Sequence, residues 1–133
     1  MFLDEIAAKL VSDGVGVLGT SIFKSSAAII PTGNGPYLTV SETGGMAPSR
    51  KQNQTTAATQ RPTAQILVRA ATYASARAMS KAAYNSLDGV TNTVLSGVFY
   101  LSIRARQEPT DMGADGSGRF QLVFNIEAEK APS

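Results

Sequence analysis

Two segments of this chain alternate polar and apolar residues with a period of two, and the segment after the first repeats its apolar residues with a helical period. Ala64, Ile66, Val68 and Ala70 alternate with Gln65, Leu67 and Arg69, and Phe120, Leu122, Phe124 and Ile126 alternate with Arg119, Gln121, Val123 and Asn125. Each pattern is that of a strand with one face turned to a core. Between them Tyr73, Ala76, Met79, Ala83, Tyr84 and Leu87 form a helical stripe, with Thr72 placed to cap its start and Gly89 to supply a left-handed stop. One-faced strands and a one-faced helix bury their apolar sides against each other, so a layered fold follows.

The rest of the chain extends these layers. Phe2, Leu3, Ile6, Leu10 and Val11 recur at helical spacing, with Asp4 and Glu5 in the first turn and Lys9 near the last, as the helix dipole favours. Gly14 and Gly16 end that helix, residues 17–23 read as a strand, and 37–42 as a clearer one after the turn residues Pro31, Gly33, Asn34, Gly35 and Pro36. From Gly97 onward the pattern is strand again. Phe99, Leu101, Ile103 and Ala105 point one way and Tyr100, Ser102, Arg104 and Arg106 the other, and this strand is expected to pair with 120–127. The connection, 107–118, holds Pro109, three glycines and most of an acidic cluster, and reads as a projecting hairpin loop. Residues 43–61 have no apolar periodicity and read as a long polar arm. The expectation is an α+β fold, with a mostly antiparallel sheet, two helices on one face and long projecting loops. At 133 residues the chain makes one domain, 1–133, that buries roughly two-thirds of its unfolded surface.

Charge is segregated along the chain. Between Glu42 and Asp88 there is no acidic residue, while Arg50, Lys51, Arg61, Arg69, Arg77 and Lys81 are all basic. From Gln107 to Glu129 the sign reverses, with Glu108, Asp111, Asp115, Glu127 and Glu129 against Arg119 alone. In a chain of net charge +2, such segregation suits a polyanion or a second copy docking basic face to acidic face. Arg77 and Lys81 also stand one helical turn apart. Like charges at that spacing disfavour an isolated helix and point to an external anionic partner.

Several chemistries are closed to this composition. Without cysteine or histidine there is no thiolate nucleophile, no cysteine zinc site and no histidine-based triad, so no enzyme, cofactor or metal site is expected. Gly14, Gly16 and Gly19 match G-x-G-x-x-G, but the segment follows a helix and leads into a strand, the reverse of the order that brings helix N-terminal amides to a pyrophosphate. Asp111 and Asp115-Gly116 resemble a calcium loop, yet its third position is Gly113 and its twelfth Leu122. Glu108, Asp111 and Asp115 could in principle pair for acid–base work, but nothing around them promises a dry pocket, and an exposed acidic knob facing a basic surface needs fewer conditions. The candidate interface residues are therefore Arg50, Lys51 and Arg61 on the basic side, and Glu108, Asp111 and Asp115 on the acidic side. The basic arm lacks aromatic residues, so contact with DNA would be to phosphate and nonspecific. No apolar run approaches the roughly 20 residues that span a bilayer, and Met1-Phe2-Leu3-Asp4-Glu5 lacks the basic start of a signal peptide. A soluble protein made in a cytoplasm, with no membrane partner, is expected.

Short phrases across the chain carry a family likeness. Phe2-Leu3-Asp4-Glu5-Ile6-Ala7, Gly35-Pro36-Tyr37-Leu38-Thr39-Val40, Arg106-Gln107-Glu108-Pro109-Thr110-Asp111-Met112-Gly113, Gly118-Arg119-Phe120 and Val123-Phe124-Asn125-Ile126 together resemble the tail terminator and minor capsid proteins of long-tailed bacteriophages. The resemblance spans nearly the whole chain and includes no catalytic residue. It implies a structural virion protein at the tail neck, made in the host cytoplasm. The family's role is a homohexameric ring that caps the tail tube, ends its polymerisation and meets the head-tail connector, with the tail-tube protein, the connector protein and transiting DNA as partners. A head-completion connector, a tail-tube subunit and, from another class, a nonspecific nucleic-acid-binding module are the alternatives.

Overall fold

A computed structural model gives the fold and describes residues 2–18, 21–24, 36–43, 46–49, 59–114 and 119–130. In chain order these form α1 (Phe2–Ser12), β1 (Ile22–Lys24), β2 (Tyr37–Glu42), β3 (Met46–Ser49), β4 (Thr59–Arg61), β5 (Thr63–Ala70), α2 (Tyr73–Leu87), β6 (Val90–Leu95), β7 (Val98–Ala105), β8 (Thr110–Ala114) and β9 (Phe120–Lys130). The architecture is α+β with a mostly antiparallel, curled sheet, as the sequence patterns predict.

The two alternating segments meet as the centre of that sheet. β5 and β9 pair antiparallel with Ala64 opposite Ile126, Ile66 opposite Phe124 and Val68 opposite Leu122. β2 adds Leu38 opposite Val68 and Val40 opposite Ile66. Since directly opposed residues share a face, all eight side chains point the same way, and all are buried. Both helices cover this face. Tyr84 of α2 meets the Phe124 ring edge-on at 5.8 Å and Tyr73 meets Phe120 at 6.2 Å, while Phe2, Leu3, Ile6, Ala7 and Leu10 of α1 join the same core. The sheet runs β1-β2-β5-β9-β7-β6, with β1 and β2 its parallel pair. α2 begins where the sequence places its cap: Thr72 Oγ1 accepts a hydrogen bond from the Ser75 amide at 3.2 Å. It ends at Asp88, followed by Gly89 at φ +83°. Asp88 Oδ1 in turn accepts from the Ala105 amide, fastening the helix end to β7.

Five expectations need correction. The strand expected at 17–23 is only Ile22–Lys24, because the Val17 carbonyl is taken up in a turn by the amides of Ser21 and Ile22 instead of by a neighbouring strand. That turn is close-packed: a Cβ at Gly16 would stand 2.6 Å from Ser21 Oγ, which is why glycine occupies the position. The polar arm at 43–61 is strand at both ends, β3 pairing antiparallel with β4, and Gln60 of β4 lying opposite Lys130 of β9. Its middle, with Arg50 and Lys51, lies outside the described residues. The loop at 107–118 contains β8, whose Thr110 to Ala114 pair along Phe120 to Val123 of β9. β6 was not expected at all. It joins β7 through Ser96 and Gly97, both at positive φ, the two-residue turn whose twist suits a hairpin.

The fifth correction concerns β7. Tyr100 is buried, while Phe99 and Leu101, expected to face the core, are exposed. A bulge explains the reversal. Tyr100 lies opposite Lys130 but Ser102 lies opposite Glu129, so two steps along β7 match one along β9. The extra residue shifts the alternation by one, and Tyr100 and Ile103 both turn inward.

Candidate subunit and partner interface

The side chains singled out by charge fall at separate places. Arg61, at the end of β4, lines a cleft of ≈ 290 Å³ with Ser102, Arg104, Glu127 and Glu129. Arg104 Nε donates to Glu127 Oε1 across the β7–β9 pair. Arg61 itself makes no ion pair among the described residues. Opposed charges here come from neighbouring strands of one chain, and the cleft is mixed in sign.

Glu108 sits at the other end of the β7–β9 junction, in the turn before β8, and faces α2. Asp111 lies exposed on β8, where its Oδ1 accepts from the Gly113 amide at 2.7 Å and helps set the bulge there, with Gly113 at φ +79°. The described basic and acidic candidates, Arg61 on one side and Glu108 and Asp111 on the other, are not brought into contact within the chain. Arg50, Lys51 and Asp115 lie outside the described residues.

Two features escaped the sequence reading. One is an exposed apolar patch on the β6–β7 hairpin, made by Val94, which is 60% exposed, with Phe99 directly opposite and Leu101 two residues on. The Ser96-Gly97 dipeptide was the available signal, because it marks a tight turn between two apolar-alternating segments. At the other end of the sheet Val17 and Leu18, just before β1, are exposed too. The sheet thus carries unlike apolar residues at its two edges.

The second feature is a buried ion pair between the first and last described elements. Glu5 is 2% and Lys130 1% exposed. Glu5 Oε1 accepts hydrogen bonds from Lys130 Nζ at 2.9 Å and from the Tyr100 hydroxyl at 2.7 Å, and Lys130 Nζ lies over the Tyr100 and Phe2 rings. Burial opposes ionisation of Glu5, but the bonds from Tyr100 and Lys130 outweigh it and hold the carboxyl below its ordinary value. Burial, and then the bond to Glu5, push the Tyr100 phenol up. The bulge is what lets Tyr100 reach this cluster. Nothing in the sequence pattern announces it, since Glu5 reads as a first-turn acid and no periodicity or charge pattern links it to Lys130.

What the geometry defines is a scaffold with exposed apolar edges and separated charges, the class of protein that works by assembly. Residues 9–131 match the family described as bacteriophage tail terminator protein, and the chain belongs to that family of virion structural proteins. Its fold is similar to that of a chain from the virion of a native gene transfer agent particle, at a TM-score of 0.59 and 16% identity, over 96% of this chain and 84% of that one. No curated protein matches the chain.

Proposed function

We propose that this chain, acting as one tail-terminator-like domain, forms a homohexameric ring at the neck end of a phage tail tube. The ring ends tube polymerisation and offers its other surface to the head-tail connector, and DNA passes through it with only nonspecific phosphate contacts. Membership of the tail terminator family over residues 9–131 carries this reading. The two unlike apolar edges support it, because a ring requires one patch on each subunit to meet a different patch on the next. Val94, Phe99 and Leu101 at one edge and Val17 and Leu18 at the other are suited to that role.

In the same reading Arg50, Lys51 and Arg61 of one copy approach Glu108, Asp111 and Asp115 of its neighbour. Exposed ion pairs contribute only about 0–1 kcal/mol each, so they set register while apolar contacts supply affinity. Sedimentation and electron microscopy of the purified chain, alone and mixed with tail tubes, test the proposal. Closed rings seated on tube ends are the expected result. A salt-sensitive monomer whose mass shifts on DNA would overturn it in favour of a nucleic-acid-binding module.

A further inference from the structure

Between α2 and the turn before β8 lies a small polar pocket that shares only Glu108 with the assembly reading. It measures ≈ 100 Å³ and is lined by Arg77, Ser80, Lys81 and Asn85 on the helix, with Glu108 and Pro109 opposite. Ser80 is 1% exposed, yet among the described residues its hydroxyl has no hydrogen-bond partner. A serine within a helix commonly bonds back to the carbonyl four residues before it; here that bond is not made, and the residue forms part of the pocket wall with its oxygen just behind the surface. Among the described residues Arg77 reaches only the Tyr73 hydroxyl, at a long 3.5 Å. Lys81 has no hydrogen bond or ion pair among the described residues. A buried hydroxyl without an acceptor is unfavourable, and the exposed Arg77 and Lys81, like charges one turn apart, repel slightly; one anionic acceptor relieves both.

The wall opposite decides which acceptor fits. Glu108 offsets one of the two cations, so the pocket carries one net positive charge, matched by a single carboxylate. A dianionic phosphate, or a duplex whose phosphates lie along an extended surface, would bring excess negative charge against Glu108. The volume is several times the roughly 30 Å³ share of one water, enough for a carboxylate and the end of its methylene stem, with Pro109 as an apolar lip. The geometry points to a binding site for an aspartate or glutamate side chain of a partner polypeptide. Lys81 and Arg77 hold its charge, the Asn85 amide donates to its oxygens, and a rotation of the Ser80 side chain brings its hydroxyl within reach.

The site is testable on the isolated chain, apart from any ring. Amide resonances of isotopically labelled protein are followed while acetyl-Ala-Glu-Ala-amide is added, with acetyl-Ala-Gln-Ala-amide, inorganic phosphate and a short DNA duplex as comparisons. Saturable shifts at Ser80, Lys81 and Asn85 with the glutamate peptide alone are expected. Lys81→Gln should weaken them about tenfold, the loss of one charge-assisted hydrogen bond, and Ser80→Ala should weaken them less while leaving the melting temperature unchanged or higher. Absence of shifts, or equal shifts with the glutamine peptide, overturns the site. Tighter binding of phosphate or DNA than of the glutamate peptide overturns the carboxylate assignment.

Discussion

Lys130 is a charged side chain in a place that ordinarily holds none, and the energetics of such residues are asymmetric. Removing one member of a buried pair strands the other, at a cost of about 3–5 kcal/mol, whereas replacing both by apolar residues of similar volume is often neutral or better. Lys130→Met is therefore expected to lower stability in denaturant unfolding by that amount, and Glu5→Met with Lys130→Met to recover most of it. The sign of the acid response follows from the Glu5 carboxyl, which lies below its ordinary value of 4.5 in the folded chain. Its contribution is present above the ordinary value and is lost as pH falls through the depressed one. Wild type should accordingly lose more stability than the double variant between neutral pH and about pH 3, as read by thermal melts; equal losses would remove Glu5 from the account. Phe124 makes a simpler case. Its ring is fully buried between strand neighbours and Tyr84, so Phe124→Ala should cost about 3–5 kcal/mol, checked by the same unfolding measurement.

Elements were legible where one physical signal dominated. β2, β5, β9 and α2 were readable because alternation or helical spacing persisted over several residues, and Thr72 and Gly89 punctuated α2 where the cap and stop are found. Thr72→Ala should lower stability by about 1 kcal/mol, the usual cost of an emptied N-cap, and thermal unfolding would register it. β7 misled because a bulge changes parity in mid-strand, and no local residue type reveals which strand carries the extra residue. β8 was hidden for another reason. Its polar sequence is strand only because β9 offers a free edge beyond the end of β7, so tertiary pairing decides it. Charge alone named Arg61, Glu108 and Asp111 as candidates and could not find the exposed Val94, Phe99 and Leu101, since exposure depends on the unseen register. It also singled out Arg77 and Lys81 without foreseeing the unpartnered Ser80 between them.

For the whole molecule, the apolar edges and separated charges set what assembly should depend on. If the chain forms the proposed ring, Phe99→Glu is expected to shift it to monomer while changing monomer stability by no more than about 0.5 kcal/mol, as for an exposed position. Unaltered rings would take the β6–β7 patch out of the interface. Glu108→Lys with Asp111→Lys should weaken the ring, and Arg61→Glu should restore part of it if Arg61 is the partner. The clasp between Glu5 and Lys130 has a kinetic side as well. It joins residues 125 positions apart, and the loop it closes costs entropy that is recovered only when most of the sheet is already in place. Contacts formed after the folding barrier slow escape from the native state and leave entry almost unaffected. Breaking the clasp should thus multiply the unfolding rate and leave the refolding rate nearly unchanged, so that what Glu5 and Lys130 chiefly set is how long a folded subunit lasts.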